Sequence, residues 1–405
     1  MHPVGIDDLH VFAGTLSVEA ADILTARGRP PGDAKRFEFQ RRSVPAAWED
    51  PLTMAVNAAK PLVDDAGAGD IELLIVATES SVDYGKPLSS YAHKHLGLSP
   101  RCRNFELKHA CYAGTGGLQL AAGWVRENPA KKALIIATDM SRRIFGNPAE
   151  PAEGAGAVAM MVAAHPRVLR LDGKAAYASK EIYDYSRPGP ILERVNAILS
   201  LENYLDLLEL TWEDYRQQAG GKRLEELFDY VLFHTPVIPL IRKAHRMLLE
   251  SDDEEMSDEE ARKSFDRMVL PSVRYTQQTG NLYSATLYES LAGLIDGVPH
   301  LDGGARVGLY SYGSGSCAEF FSGMLEPGAK ALLARRGIAG SLDARRRVGV
   351  PEYERMVLET ERGMTDPEFD PDRSFPAAHF EEAYQGKGRL VLEAVRNYRR
   401  LYVWS

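Results

Sequence analysis

The sequence contains little cysteine. Only Cys102, Cys111 and Cys317 occur among 405 residues. They are too few for the paired disulfides that hold small secreted proteins together, and no Cys/His spacing resembles a zinc site. No apolar run reaches the ~20 residues of a membrane span, and the first residues lack the charged and apolar zones of a signal peptide. We therefore expect a cytoplasmic protein that binds no metal and does not enter a membrane.

The chain also lacks an excess of positive charge. Its 48 Lys and Arg residues are outnumbered by 57 Asp and Glu residues, and the net charge is −9. This balance argues against nucleic acid as a partner. It does not argue against an acidic protein partner, because a local basic patch can coexist with a negative total. With 44% hydrophobic residues, the chain is large enough for one big domain or two.

One cysteine stands in a glycine-rich setting. Cys111 is followed by small residues and then by an apolar helical run to about Val125. This pattern predicts that the sulfur lies at the start of a helix, where the positive end of the helix dipole lowers the pKa of a thiol and favours a nucleophile. A small buried cysteine at a packed helix start fits the same pattern.

A unit of strand and helix occurs twice along the chain. Residues 71–78 predict a buried strand that ends at Glu79, and residues 228–233 predict a similar strand that ends at His234. A predicted helix follows each strand, over about 87–96 and 238–249. Downstream of these units come Cys111 in the first and Gly280-Asn281 in the second, each at a turn that enters a helix rich in small residues. The pattern indicates a duplication.

The two intervals differ in length. Glu79 and Cys111 are 32 residues apart, whereas His234 and Asn281 are 47 residues apart. The acidic stretch 251–260 accounts for the extra length, and we interpret it as a solvated surface loop without function. Each half then ends in a glycine-containing strand, over 154–162 and 307–315. We expect two similar halves, residues 1–170 and 171–405, packed as one compact layered α/β unit.

If the halves pack about a pseudo-twofold axis, four residues converge: Glu79, Cys111, His234 and Asn281. Each lies at a strand end or a helix start, where function in α/β proteins is usually found. A nucleophile, a base, a cation-capable donor and an amide donor together suit acyl transfer with carbon–carbon bond formation. Each residue also has a structural interpretation. Glu79 fits a carboxylate at a helix N-terminus, His234 a core histidine, and Asn281 a turn or helix cap.

These segments resemble the 3-hydroxy-3-methylglutaryl-CoA synthase family of the thiolase superfamily. The resemblance is carried by residues 49–59, 77–83, 105–115, 154–160, 233–236, 280–285 and 311–315. It implies a thiolase-like α-β-α-β-α fold made of two similar halves, and usually a homodimer. It also implies that Cys111 accepts an acetyl group.

The same resemblance implies roles for the other residues. Glu79 is then the general base, and His234 orients and polarises the β-keto oxygen of the acceptor. Asn281 helps to position the acceptor. The backbone N–H groups of Cys111 and Ser314 form the oxyanion hole.

The chain is more similar still to one branch, the synthases that install β-branches in bacterial polyketide pathways. The similarity lies in residues 5–12, 86–91, 234–236 and 398–405. Members of this branch take acetyl from a donor acyl carrier protein and add it to the β-ketone of an intermediate on an acceptor carrier. Hydrolysis then leaves a 3-hydroxy-3-methylglutaryl-like branch. The resemblance implies no tightly bound cofactor, because the phosphopantetheine arrives with its carrier, or with coenzyme A.

Two positions differ from the mevalonate-pathway members of the family and concern whether the acyl group arrives on coenzyme A or on a carrier protein. Mevalonate-pathway members tend to have a lysine where this chain has Pro239, and the lysine can meet phosphates of coenzyme A. Lys243 remains as a phosphate contact. Mevalonate-pathway relatives also tend to have tyrosine near position 143, where this chain has arginine. Since carriers are usually acidic, we expect a basic patch around the tunnel mouth. Its candidate residues are Arg142, Arg143, Arg242 and Lys243.

Two alternatives remain. One is a mevalonate-pathway synthase that uses acetyl-CoA and acetoacetyl-CoA. The other is a non-catalytic scaffold that binds acyl carriers, although the intact set of Glu79, Cys111 and His234 argues against it.

Overall fold

The computed structural model describes residues 2–33, 38–142, 144–252, 255–301 and 303–405. Its strands are β1 Val4–Phe12, β2 Leu16–Glu19, β3 Arg41–Val44, β4 Ile71–Ala77, β5 Arg103–Leu107, β6 Lys132–Met140, β7 Ala155–Ala164, β8 Leu169–Ser179, β9 Tyr185–Ser186, β10 Arg194–Val195, β11 Tyr230–Phe233, β12 Arg306–Gly313, β13 Cys317–Leu325, β14 Arg346–Arg347, β15 Glu368–Phe369, β16 Leu390–Arg396 and β17 Arg399–Trp404.

Its α-helices are α1 Ala20–Ala26, α2 Pro51–Ala66, α3 Leu88–His95, α4 Ala113–Glu127, α5 Ala197–Gln218, α6 Leu224–Leu227, α7 Ile238–Glu250, α8 Asp258–Met268, α9 Thr276–Thr279, α10 Thr286–Gly297, α11 Ala329–Ala334, α12 Ile338–Asp343, α13 Val350–Thr365 and α14 His379–Ala383. Short 3₁₀ helices cover Pro31–Asp33, Ala68–Asp70, Leu270–Arg274 and Tyr283–Ala285.

Nine strands form one sheet with the order β5-β4-β6-β7-β1-β8-β13-β12-β11. Each half contributes the same pattern. In the first half, β4 and β6 are parallel, while β7 is antiparallel to β6 and to β1. In the second, β11 and β12 are parallel, while β13 is antiparallel to β12 and to β8. The halves meet where Gly5 and Ile6 of β1 pair with β8. Consequently β4 and β11, which precede Glu79 and His234, occupy equivalent positions.

The strands are buried on both faces, which explains their nearly continuous apolar sequences. Successive residues of β4, such as Leu74 and Ile75, point to opposite faces of the sheet and belong to different core clusters. Helices α2 and α3 pack on the outer face of β4, β6 and β7. Helices α4 and α10 fill the core between the two half-sheets, and α5 and α7 cover the outer face of β11, β12 and β13. The layers are therefore α-β-α-β-α, as expected.

The acidic stretch is not wholly a loop. Residues 253 and 254 lie outside the described residues, but α8 begins at Asp258. The Ser257 side chain accepts a hydrogen bond from Glu260 N, and Glu260 accepts one from Ser257 N. This capping box, with acidic side chains near the positive helix end, starts a helix. The loop interpretation is therefore wrong from Asp258 onward.

In the described part of the chain, no helix has both the length and the apolar character needed to cross a membrane.

Candidate active site

Glu79 lies just beyond the end of β4 and presents two different carboxylate oxygens. Oε1 accepts hydrogen bonds from the Tyr185 hydroxyl at 2.5 Å and from an Arg187 N–H at 3.2 Å. Oε2 is buried and has no hydrogen-bond partner among the described residues. Burial raises the pKa of Glu79 to about 8, against the opposing effect of Arg187. One oxygen is thus anchored, and the other is free to accept a proton.

Asp139, in β6, holds the backbone around Glu79. Its Oδ1 accepts hydrogen bonds from Glu79 N at 2.8 Å and from the Ser80 hydroxyl at 2.9 Å. Its Oδ2 accepts hydrogen bonds from Ser284 N at 3.1 Å and from the Ser284 hydroxyl at 2.5 Å. Burial raises the pKa of Asp139. Because Ser284 precedes α10 in the second half, the Asp139 carboxyl group connects the two halves next to Glu79.

Cys111 lies in the loop between β5 and α4, before the N-cap residue Tyr112. The end of β12 packs against this loop. A Cβ atom added to Gly313 would lie 2.5 Å from Tyr112 N and 2.7 Å from His109 O, so only glycine permits this approach. The cysteine of the first half therefore lies against a strand end of the second.

The expectation of a low thiol pKa is wrong. Burial raises the pKa of Cys111 well above its usual value, and the charges of Glu79, Asp139 and Glu153 raise it further, while Arg187 opposes them. Helix α4 begins at Ala113, so the sulfur also lies outside the first turn, where the dipole acts most strongly. Cys111 therefore rests as a neutral thiol and must lose its proton during attack.

His234 directly follows β11. Its backbone N–H donates to Tyr310 O at 2.8 Å, and its carbonyl accepts from the Tyr204 hydroxyl at 2.8 Å. The side chain is buried, and burial lowers the pKa of His234 to about 3. Nδ1 has no hydrogen-bond partner in the described part of the chain. The imidazole is therefore neutral and can donate one N–H without carrying a charge.

Asn281 follows Gly280, whose φ of 80° favours glycine. The Asn281 Oδ1 atom accepts hydrogen bonds from Tyr283 N and the Thr286 hydroxyl, both at 2.9 Å. Its Nδ2 donates to Glu153 Oε2 at 3.4 Å. Burial raises the pKa of Glu153 to about 7. Asn281 thus stabilises its own turn and also contacts a buried acid whose charge acts on Cys111.

Ser314 lies in the turn between β12 and β13 and is partly exposed. Asp184 holds this turn by accepting hydrogen bonds from Gly315 N at 2.9 Å and the Tyr312 hydroxyl at 3.1 Å. The Ser314 and Ser200 hydroxyl oxygens are 3.5 Å apart. Since Ser314 directly follows the glycine that touches the cysteine loop, its backbone lies beside that loop.

Arg142 does not belong to a surface patch. Its side chain is buried and donates to Ser80 O at 3.2 Å, and its backbone N–H donates to Glu193 at 3.4 Å. Burial lowers the pKa of Arg142 to about 10. The sequence did not reveal this burial, because the residue follows the end of β6 and turns inward.

The other three candidates for the basic patch differ. Arg143 lies outside the described residues. Arg242 is paired with Glu38 at 2.8 Å, so this cation is already engaged. Lys243 is exposed on α7, as a contact for a phosphate requires.

Sequence patterns missed three residues of the site, Tyr185, Arg187 and Glu193. They belong to a small hairpin formed by β9 and β10. The side chains of Tyr185 and Arg187 contact Glu79, and the side chain of Glu193 contacts both of them. Each strand of the hairpin has two residues, which is too short for a periodic pattern, so no sequence signal marked them.

Among the described residues, no group of three or more His, Cys, Asp or Glu side chains is arranged to hold a metal ion. The candidate residues instead offer a thiol, a buried carboxyl group with one free oxygen, and a neutral imidazole. This set can carry an acyl group, remove a proton from carbon and polarise a carbonyl.

Three comparisons with known proteins extend this result. Residues 253–403 match the family model described as hydroxymethylglutaryl-coenzyme A synthase C terminal. The polyketide biosynthesis 3-hydroxy-3-methylglutaryl-ACP synthase PksG of Bacillus subtilis is 35% identical over 430 aligned positions, which cover all of both chains. A hydroxymethylglutaryl-CoA synthase of Enterococcus faecalis is 33% identical over 362 positions, which cover 88% of this chain and 92% of the relative.

The structure is also similar to a solved one. The HMG synthase of the curacin biosynthetic pathway, in complex with its holo donor ACP, superposes with a TM-score of 0.95 at 38% sequence identity, with full coverage of both chains.

Proposed function

The chain belongs to the hydroxymethylglutaryl-CoA synthase family, and we propose how its residues carry out polyketide β-branching. It is an HMG synthase, an enzyme that transfers acetyl and forms a carbon–carbon bond. Support for the polyketide branch comes from the full-length similarity to PksG and to the curacin enzyme, which was solved with a donor acyl carrier protein. The observation that carries the chemistry is the free, buried Oε2 of Glu79.

In the first step, the Cys111 sulfur attacks the thioester of an acetyl-carrier. A new S–C bond forms, and the bond to the phosphopantetheine sulfur breaks. The thiol proton of Cys111 moves to the departing phosphopantetheine sulfur, which balances the transfer and suits a thiol of raised pKa. The backbone N–H groups of Cys111 and Ser314 stabilise the oxyanion.

In the second step, Glu79 removes a methyl proton from the acetyl-enzyme through Oε2. The resulting enolate attacks the β-ketone carbon of the intermediate on an acceptor carrier, and a C–C bond forms. Neutral His234 donates a hydrogen bond to the ketone oxygen, and Asn281 helps to position the acceptor. The alkoxide takes up a proton, for which protonated Glu79, with a pKa of about 8, is a suitable source.

In the third step, water cleaves the Cys111 thioester. One proton of the water returns to the sulfur and the other is released, and the former acetyl group becomes the carboxymethyl arm (CH2–COO−) of a 3-hydroxy-3-methylglutaryl-like branch on the acceptor carrier. The phosphopantetheine arm belongs to the substrates throughout.

The proposal extends to the assembly. Residues 1–170 and 171–405 are its two halves, and the enzyme is a cytoplasmic homodimer. Support for a dimer comes from β5, which ends the order of the large sheet and so presents a backbone edge that a second copy can pair with.

Acetyl trapping tests the enzyme assignment. Incubation with acetyl-carrier is expected to add one acetyl mass to the peptide that contains Cys111, and Cys111→Ser should remove it. The matched control Cys102→Ser should load normally, because Cys102 is buried in a different core cluster. A wild-type protein that binds the carrier without becoming acetylated would instead be a scaffold.

A comparison of donors tests the branch. Acetyl-carrier is expected to have a higher kcat/KM than acetyl-CoA, and its kcat/KM should fall as salt rises. Equal or better use of acetyl-CoA, with no salt dependence for the carrier, would return the protein to the mevalonate pathway.

A further inference from the structure

One arginine lies between two buried carboxylates. An N–H of Arg187 lies 3.2 Å from Glu79 Oε1, and the same nitrogen also contacts Glu193 Oε1. The side chains of Arg187 and Glu193 are each only 8% exposed, and that of Glu79 is 5% exposed. The base therefore shares its only directly paired cation, within the described residues, with a second acid that contributes no reacting atom.

Glu193 is held firmly in this place. Its Oε1 also accepts a hydrogen bond from the Tyr283 hydroxyl at 3.1 Å and lies 3.0 Å from the Tyr185 hydroxyl oxygen. Its Oε2 lies 3.4 Å from the backbone N of Arg142. The guanidinium of Arg187 also lies over the Tyr283 ring, 5.6 Å from its centre. Glu193 is thus fixed by contacts on several sides.

We propose that Glu193 is a positioning residue for the base: by sharing Arg187, it prevents a full ion pair with Glu79 and leaves Oε2 of Glu79 available as a proton acceptor. A carboxylate with an unshared arginine in a low-dielectric site is a weak base, because the cation favours the ionised form. With Arg187 divided between two acids, that effect is reduced. The inference rests on the proposed role of Glu79 as base.

Other charged groups also face this cluster and contribute to the pKa of Glu79 in the wild-type protein. The carboxyl group of Asp139 raises the pKa of Glu79, as does that of Glu193, while Arg187 lowers it. The remaining titratable and charged groups around the cluster are Arg142, Glu153, Tyr185, Tyr283 and Cys111. These groups are unchanged in a Glu193→Gln variant, so the comparison isolates the charge of Glu193.

The test uses two substitutions in a cycle. Glu193→Gln keeps the shape and the acceptor oxygen but removes the charge, so Arg187 pairs fully with Glu79. The pKa of Glu79 is then expected to fall by about one unit. Adding Arg187→Gln removes the cation that lowers this pKa. In the double variant, Glu79 should therefore titrate at or above its wild-type pKa. Loss of packing alone predicts no such reversal.

The pKa of Glu79 is read directly by infrared titration of its carboxyl band, which is assigned by its absence in Glu79→Gln. Glu250→Gln is the control, because it removes the acid of an Arg–Glu pair on α7 in which each side chain is over two-fifths exposed; it should leave the titration unchanged. An unchanged or raised pKa in Glu193→Gln, or a double variant that titrates like Glu193→Gln, would overturn the inference.

The pH dependence of condensation by pre-acetylated enzyme is the second measurement. Its midpoint should move down in Glu193→Gln together with the infrared pKa. If the infrared pKa moves and the midpoint does not, then the sharing of Arg187 stands and the assignment of Glu79 as base fails. The two failures are therefore distinguishable.

Discussion

Condensation by the acetylated enzyme is expected to slow as the pH falls below about 8. Burial raises the pKa of Glu79 to about 8, and only the carboxylate form can take a methyl proton. The ionised fraction falls about tenfold for each pH unit below the pKa, so the rate at pH 6 should be about one hundredth of the plateau. The rate should therefore rise with pH and level off above the pKa.

The assay must separate this step from loading, because the Cys111 thiol also has a raised pKa. Enzyme acetylated beforehand is mixed rapidly into buffers on both sides of pH 8 together with the acceptor carrier. The product on the carrier is then measured by mass spectrometry after a quench. In this form Cys111 carries no proton to lose, so its pKa does not contribute.

Glu79→Gln is the matched variant for this assay. It should still load acetyl, condense about 10²–10⁴-fold more slowly and lose the acidic limb. A wild-type midpoint near the ordinary carboxyl pKa, or the same fall in rate at low pH in Glu79→Gln, would exclude Glu79 as the base.

Packing at the cysteine loop, the stability of the protein and phosphate binding each provide one further test. Gly313→Ala should abolish acetyl loading, measured by intact mass, because its Cβ would lie 2.5 Å from Tyr112 N; Gly340→Ala, with nothing within 4 Å, should load normally. Glu79→Gln should raise Tm at pH 8 but not at pH 4. Because the pKa of Glu79 is raised in the folded state, its contribution to stability is present below the unfolded pKa and is lost as the pH rises toward 8. The glutamine variant avoids this loss, so an equal gain in Tm at both pH values would contradict the raised pKa. Pro239→Lys should improve kcat/KM for acetyl-CoA about tenfold or more, since a charge-assisted hydrogen bond contributes ~1.5–3 kcal/mol; no gain would mean that position 239 does not meet the phosphates.

Local sequence was sufficient to predict the strands before Glu79 and His234 and the helix after Cys111. Their apolar runs and glycines depend on neighbours a few residues away, and such patterns are visible along the chain. The repeated order of these units also predicted the two-part layered fold, because each half must bury the same faces. The acidic stretch was the exception, since its charge predicted a solvated loop, whereas the capping box at Ser257 begins a helix there.

The chemistry of the site depended on tertiary structure. The pKa of Cys111 is raised by burial and by acids from three separate segments, Glu79, Asp139 and Glu153. A helix-start pattern cannot include such charges, because burial and Coulomb interactions sum over residues that are distant in sequence. The inward turn of Arg142 and the sharing of Arg187 between two acids likewise arise only when the halves and the β9–β10 hairpin meet. Residue types and local patterns thus specified which groups are present and which elements carry them, whereas the packing of distant segments set their protonation and their partners.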